Sequence, residues 1–237
     1  MPSIDMWRQL QAASGLAFAF FLTIHLFSHL CLNLGWEYGR NMMSQMRGIY
    51  QHPVFETQLL LVFLVHLTSA GVLYLHRKKV EWTRSKKDDD AIQTYTPGPY
   101  ELQLHRYAGH FLATAIFGHV FSTRIAALLW LPDPALYDYS FITELQERIP
   151  YNLFTIVMYV LGAAGFYHLL YGVYIAPGIL MKADIKEKKV PSYLLRVALI
   201  GNLAVISTIL ALKGKYYGID MTEKQEERDM LLSKMGL

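Results

Sequence analysis

Thiol chemistry is nearly absent from this 237-residue chain. Cys31 is its single cysteine, which excludes an intrachain disulfide and a cysteine-ligated iron–sulfur cluster. No glycine-rich phosphate loop follows a strand pattern, so no nucleotide fold is indicated, and nothing points to nucleic acid. Charge is scarce as well. Only 17% of residues are charged against 53% hydrophobic, and the charges are bunched rather than spread, unlike those of a soluble domain. The opening MPSIDMWRQLQAA lacks the layout of a cleaved signal peptide, so the first apolar run is expected to be retained.

Between the bunches lie long uncharged runs. Residues 9–36, 57–76 and 149–181 carry no charge, and 107–132 is broken only by Arg124. The last run, 197–212, is short, but residues 193–195 extend it past Arg196. A helix needs roughly 20 mostly apolar residues to cross the hydrocarbon. The expected fold is therefore an all-α integral membrane protein, one domain over 1–237. Its five spans fall near 11–36, 54–76, 105–131, 151–180 and 193–212, and a tail follows over 213–237.

Five spans place the termini on opposite faces. The N-terminal face, face A, receives 13 of the Lys and Arg residues, the loops of the opposite face B four, and the tail five. By the positive-inside rule face A is expected to be the cytoplasm or the mitochondrial matrix. The stretch 77–106, with KKDDD and TPGPY, is expected to be extended and turn-like around its prolines. It reads either as a docking surface or as a plain linker. The tail has a helical pattern and mixed charge that suggest no function.

Histidine is conspicuous inside the spans. SGLAFAFFLTIH ends at His25 and AGHFLATAIFGH at His119; both have Gly second and His last, and they continue as HLFS and HVFS. The second and fourth spans carry His66 and His168. Spans one and two, and three and four, read as a tandem two-helix repeat with a fifth helix added. Polar groups in hydrocarbon are costly and face protein interior with a partner, yet no Asp or Glu is expected within the spans. Neutral imidazoles can bond carbonyls, hydroxyls or each other, or ligate a metal. Two of them can hold a haem iron from opposite sides, in a site between facing helices of a bundle. Four histidines could hold two b haems, or one. Gly15, Gly109, Gly162 and Gly165 either admit a flat ring or merely permit helix packing.

The remaining histidines sort by helical phase, at about 100° per residue. His29 lies near the face of His25, one turn on, as a rival ligand or a group at the haem edge. His110 points away from His119. His105 shares the face of His119 but lies about 21 Å along the axis, where a propionate or a quinone headgroup could meet it. His52 and His76 sit at span ends, as interfacial histidines do. Arg124 either pairs with a propionate or snorkels toward face B.

At these residues the chain resembles the di-haem cytochrome b membrane anchors of succinate:quinone oxidoreductases and fumarate reductases, in the subtype with one five-helix polypeptide. The resemblance covers roughly 10–212. Gly15 and the His25-Leu26 step match the family's first helix. His66, followed by Arg77, Lys78 and Lys79, matches the second; Gly109 with His119 matches the third, and His168 the fourth. The fifth helix of the family gives no ligand, and 197–212 holds no histidine. The membrane glutamate of some members has no counterpart around Phe166. The resemblance implies axial ligands His25 and His119 to a haem nearer face B, and His66 and His168 to one nearer face A. It also implies iron–sulfur and flavoprotein partner subunits on face A, with quinone as the membrane substrate. The chain would carry electrons, not perform the dicarboxylate chemistry. His105, Arg106 and Tyr107 are the candidate quinone residues. Two rival readings are another di-haem transmembrane reductase and a non-catalytic scaffold subunit of a respiratory complex. The expected membrane is bacterial or mitochondrial inner.

Overall fold

The computed structural model describes residues 3–87, 100–182 and 191–237, with the backbone alone at 84–87. Among the described residues there are helices and no strand. The chain is an all-α membrane protein. Five helical stretches are long and apolar enough to cross a bilayer: Ile4–Leu34, Pro53–Thr83, Tyr100–Trp130, Pro150–Leu180 and Ser192–Leu212. The expected spans are all present, and most run a turn or two further than their apolar runs.

Helix α1 (Ile4–Leu30) starts at Ser3, whose hydroxyl oxygen accepts from the amide of Met6 at 3.2 Å, a standard satisfaction of an orphan amide. The chain leaves the first span at Gly35, whose φ of 131° is open to glycine and closed to most side chains. Helix α2 (Trp36–Tyr50) then lies on face B. Helix α3 (Pro53–Lys87) is the second span and continues well past it. The third span is α4 (Tyr100–Val120), a π-helical segment (Phe121–Ile125) and α5 (Ala126–Trp130). After α6 (Tyr139–Arg148) on face B come α7 (Leu153–Leu180) and α8 (Ser192–Leu212), the fourth and fifth spans. Helix α9 (Gln225–Lys234) closes the chain.

The stretch 77–106 is not extended throughout. Residues 77–87 and 100–106 are helical, because charge ends an apolar run without ending a helix; Lys, Arg and Glu are good helix formers. The turn at Pro97, Gly98 and Pro99 lies outside the described residues, as do Lys186, Lys188 and Lys189.

Helix α1 packs closely against α3 and α7, while α4 and α8 pack against α7. The outer faces of the spans expose Phe20, Leu61, Leu75, Leu199 and Ile200, as lipid-facing helices do. The densest packing is instead at face B. There Leu32, Trp36, Met43, Tyr137, Tyr139, Phe141, Ile142 and Leu231 form one buried cluster. The tail is part of this cap. Tyr217 donates to the carbonyl of Leu32 at 2.8 Å. Arg228, 2% exposed, donates to the carbonyls of Met221 and Glu223 and to Ser140 Oγ. Lys224 reaches Asp138 at 2.7 Å.

Candidate functional site

The interior of the bundle is hollow. A cavity of about 1270 Å³ runs from Arg8, Arg77, Arg106 and Lys182 at face A to His29 and Thr208 toward face B. Typical small-ligand pockets hold roughly 300–1,000 Å³, so the space exceeds that of one ligand. Most of its wall is apolar side chain, and the histidines are its main polar groups.

His25, His66, His119 and His168 all line this cavity, and they meet in two pairs. The ring centres of His25 and His119 are 5.9 Å apart, with planes at 73°. Those of His66 and His168 are 6.3 Å apart, with planes at 83°. Each pair joins helices that are not close packing neighbours, α1 with α4 and α3 with α7, so the rings reach across the hollow interior. Two imidazoles on opposite sides of one metal, each bound at about 2.0 Å with the ring centre about 1.1 Å behind the nitrogen, would have ring centres about 6.2 Å apart. Among the described residues no three His, Cys, Asp or Glu side chains converge as a metal-ion cluster. The arrangement is one of paired imidazoles, not of a four-ligand zinc site.

The repeat seen in the sequence has a structural meaning. His66 Nδ1 donates to the carbonyl of Gln11 at 3.1 Å, with Ser14 Oγ also at 3.3 Å. Its ring lies over Gly15, where a Cβ would stand 3.1 Å from Cε1. His168 Nδ1 donates to the carbonyl of His105 at 3.2 Å. Its ring lies over Gly109, where a Cβ would stand 2.9 Å from Cε1. In each half one helix supplies a carbonyl, a glycine four residues on, and a histidine ten residues beyond the glycine. The carbonyl bond fixes the proton on Nδ1 and leaves Nε2 with its lone pair, the state a metal ligand requires. Gly162, by contrast, seats Val205 of α8, so there the packing explanation holds. Gly165 has only Leu112 within reach.

The glycines also set the depths. Because His66 and His168 sit at the level of Gly15 and Gly109, the other pair is ten residues deeper, about 15 Å along each helix. The two pairs occupy two levels, one toward each face.

Each level has a third imidazole. At the deeper level His29 Nε2 is 3.3 Å from His25 Nε2. Tyr139 of the cap donates to the carbonyl of Ser28 at 3.2 Å and accepts from His29 Nδ1 at 3.1 Å. That order leaves His29 Nε2 as acceptor and His25 Nε2 as donor, so His25 Nδ1 is buried without a partner. At the face-A level His105 stacks on His168, ring centres 4.1 Å apart and planes 4° from parallel.

Arg124 turns toward the face-B end of the second span and pairs there with a carboxylate of the chain itself. The π-helical segment Phe121–Ile125 follows His119 directly; such segments add a residue to a helix and mark functional regions. It carries Arg124, whose Nε and Nη2 grip Glu56 at 2.6 and 2.7 Å. Carboxylates are thus absent from the middles of the spans but not from their ends. The three candidate quinone residues are separated: His105 and Arg106 line the cavity, whereas Tyr107 is 66% exposed and lies outside its lining. His110 is exposed, packs edge-on against Tyr74 at 5.3 Å and touches the cavity wall as well. His76 lies at the cavity mouth, and His52 sits beside Phe55.

Sequence reasoning missed Ser14, Glu56 and Tyr139. Glu56 had a signal, since an acid at one span edge on the face of a lone arginine suggests a pair. Tyr139 had none, because only the tertiary fold brings it to His29. Comparison with protein-family models, with curated proteins and with solved structures finds no match to this chain.

Proposed function

We propose that this chain is a membrane-anchor cytochrome b, holding two b haems on His25 with His119 and on His66 with His168. In this reading it carries electrons between an iron–sulfur partner on face A and a membrane quinone, as in the succinate:quinone oxidoreductases that its motifs resemble. Face A is then the cytoplasmic or matrix side. The observation that carries the reading is the duplicated carbonyl–glycine–histidine arrangement around a single apolar cavity.

The residues fit the group on several counts. The ring separations suit two axial ligands. Gly15 and Gly109 leave room where a Cβ would meet an imidazole. The lone pair on His25 Nδ1 lacks any donor. The apolar wall suits a macrocycle, and Arg8, Arg77, Arg106 and Lys182 at the mouth suit carboxylates. When bound, a haem supplies a one-electron carrier at each level. The chain itself holds the rings, and backbone carbonyls fix the tautomers of His66 and His168.

Substitution of the ligands tests the reading. His66→Ala and His25→Ala, purified in detergent, should each lose one haem of a different potential and abolish electron flow to quinone. A scaffold subunit of the same fold, with or without haem, would carry no electron flow to quinone for the substitutions to abolish.

A further inference from the structure

We propose that His105 is a positioning residue that sets the ring plane of His168, and thereby makes the face-A haem spectroscopically and electrochemically distinct from its face-B counterpart. This rests on the reading of His66 and His168 as axial ligands.

His105 holds His168 in two ways. Its carbonyl accepts from His168 Nδ1 at 3.2 Å, and its ring lies flat on the His168 ring at 4.1 Å and 4°. It also packs over Tyr171, one turn further along α7, at 4.8 Å. On that helix Gly172 stands next to His105 Cε1, with 3.6 Å to where a Cβ would be. The placement leaves the ring's Nδ1 buried without a partner. An imidazole kept in an apolar wall with an unpaired nitrogen is costly, and stacking is the contact it makes there.

The other half of the repeat shows what the ring adds. Gln11 occupies the matching position on α1, four residues before Gly15, and gives its carbonyl to His66 in the same way. Gln11 has no ring to stack, so the backbone hydrogen bond alone suffices to fix a tautomer. His105 adds restraint of rotation about the Nδ1–carbonyl bond, on one ligand of one pair. With His66 and His168 planes at 83°, that restraint holds the two ligands near perpendicular. The mutual angle of axial imidazole planes governs the magnetic anisotropy of a low-spin ferric haem, and groups behind a ligand tune its metal.

The test is electron paramagnetic resonance with redox titration on the full chain in detergent, for wild type, His105→Ala and His105→Phe. Both variants keep the backbone carbonyl; only phenylalanine keeps a flat ring. His66→Ala assigns the face-A signal. His105→Ala should shift the largest g value and the midpoint potential of the face-A haem, or lose that haem, while the face-B signal stays in place. His105→Phe should restore the wild-type line position. Identical signals in wild type and His105→Ala would overturn the proposal. So would a phenylalanine variant that behaves like the alanine one, because the imidazole nitrogens and not the stack would then matter. A wild-type protein without haem would instead sink the ligand assignment itself, and the proposal with it.

Discussion

Gly109 lies directly beneath the imidazole of His168: a Cβ there would stand 2.9 Å from Cε1 and 3.3 Å from Nδ1. Gly15 stands in the same relation to His66, at 3.1 Å and 3.4 Å. The same two helices then place His119 and His25 ten residues on. One small motif, used twice, seats one ring and supplies another.

Gly109→Ala is therefore expected to displace His168, since a Cβ closer than 3.0 Å must push a rigid ring aside. Haem content should fall from two per chain toward one, with the face-A component lost. Gly118→Ala, on the same helix with nothing within 4 Å of its Cβ, should retain both haems. Equal loss in the two variants would show that the effect is general to the helix.

Tyr139→Phe removes the hydroxyl that joins Ser28 and His29. Two buried partners then go unpaired, which should cost about 1–3 kcal/mol in detergent or denaturant unfolding. The face-B haem potential should change and the face-A potential should not. A variant with unchanged stability and both potentials intact would show that the cap does not communicate with His25.

The Glu56–Arg124 pair is partly buried, with side chains 37% and 20% exposed. Breaking it from one side leaves a charge in an apolar rim. Arg124→Gln should destabilise by about 1–3 kcal/mol, between the values for surface and buried pairs. The double variant with Glu56→Gln should recover part of that loss. A double-mutant cycle with no coupling energy would contradict the bidentate geometry.

Acid should loosen the face-B cap. Burial raises the affinity of Asp138 for a proton, but hydrogen bonds from Lys224 and Ser140 outweigh it, so its carboxyl is held below the ordinary aspartate value of 3.8. A depressed folded value means the stabilisation is present above 3.8 and fades as pH falls through the folded value. Proteolysis of the 213–237 tail should accelerate in that acidic window. Asp138→Asn should be sensitive already at neutral pH and lose the acid dependence of this step.

The spans were legible because hydrocarbon tolerates so little charge that five uncharged runs admit few other readings. The set of four cavity histidines was legible through its repeat: His25 and His119 share a preceding glycine and a following Phe-Ser, and the structure brings them together as one pair. Their depths were not legible. Counting from the nearest basic residue finds the water boundary, whereas α3 continues helical for a further eleven residues beyond His76. Only the seating of His66 on Gly15 and of His168 on Gly109 separates the levels. The cap was illegible for a different reason. Leu231, Arg228 and Tyr139 are unremarkable in a mixed-charge sequence, and their burial comes from tertiary contacts between distant segments.

The most direct measurement is the reduced pyridine haemochrome of the full chain purified in detergent, set against protein concentration. The account gives two b haems per chain. A folded protein with no haem would contradict it, and a single haem would remove one of the two histidine pairs.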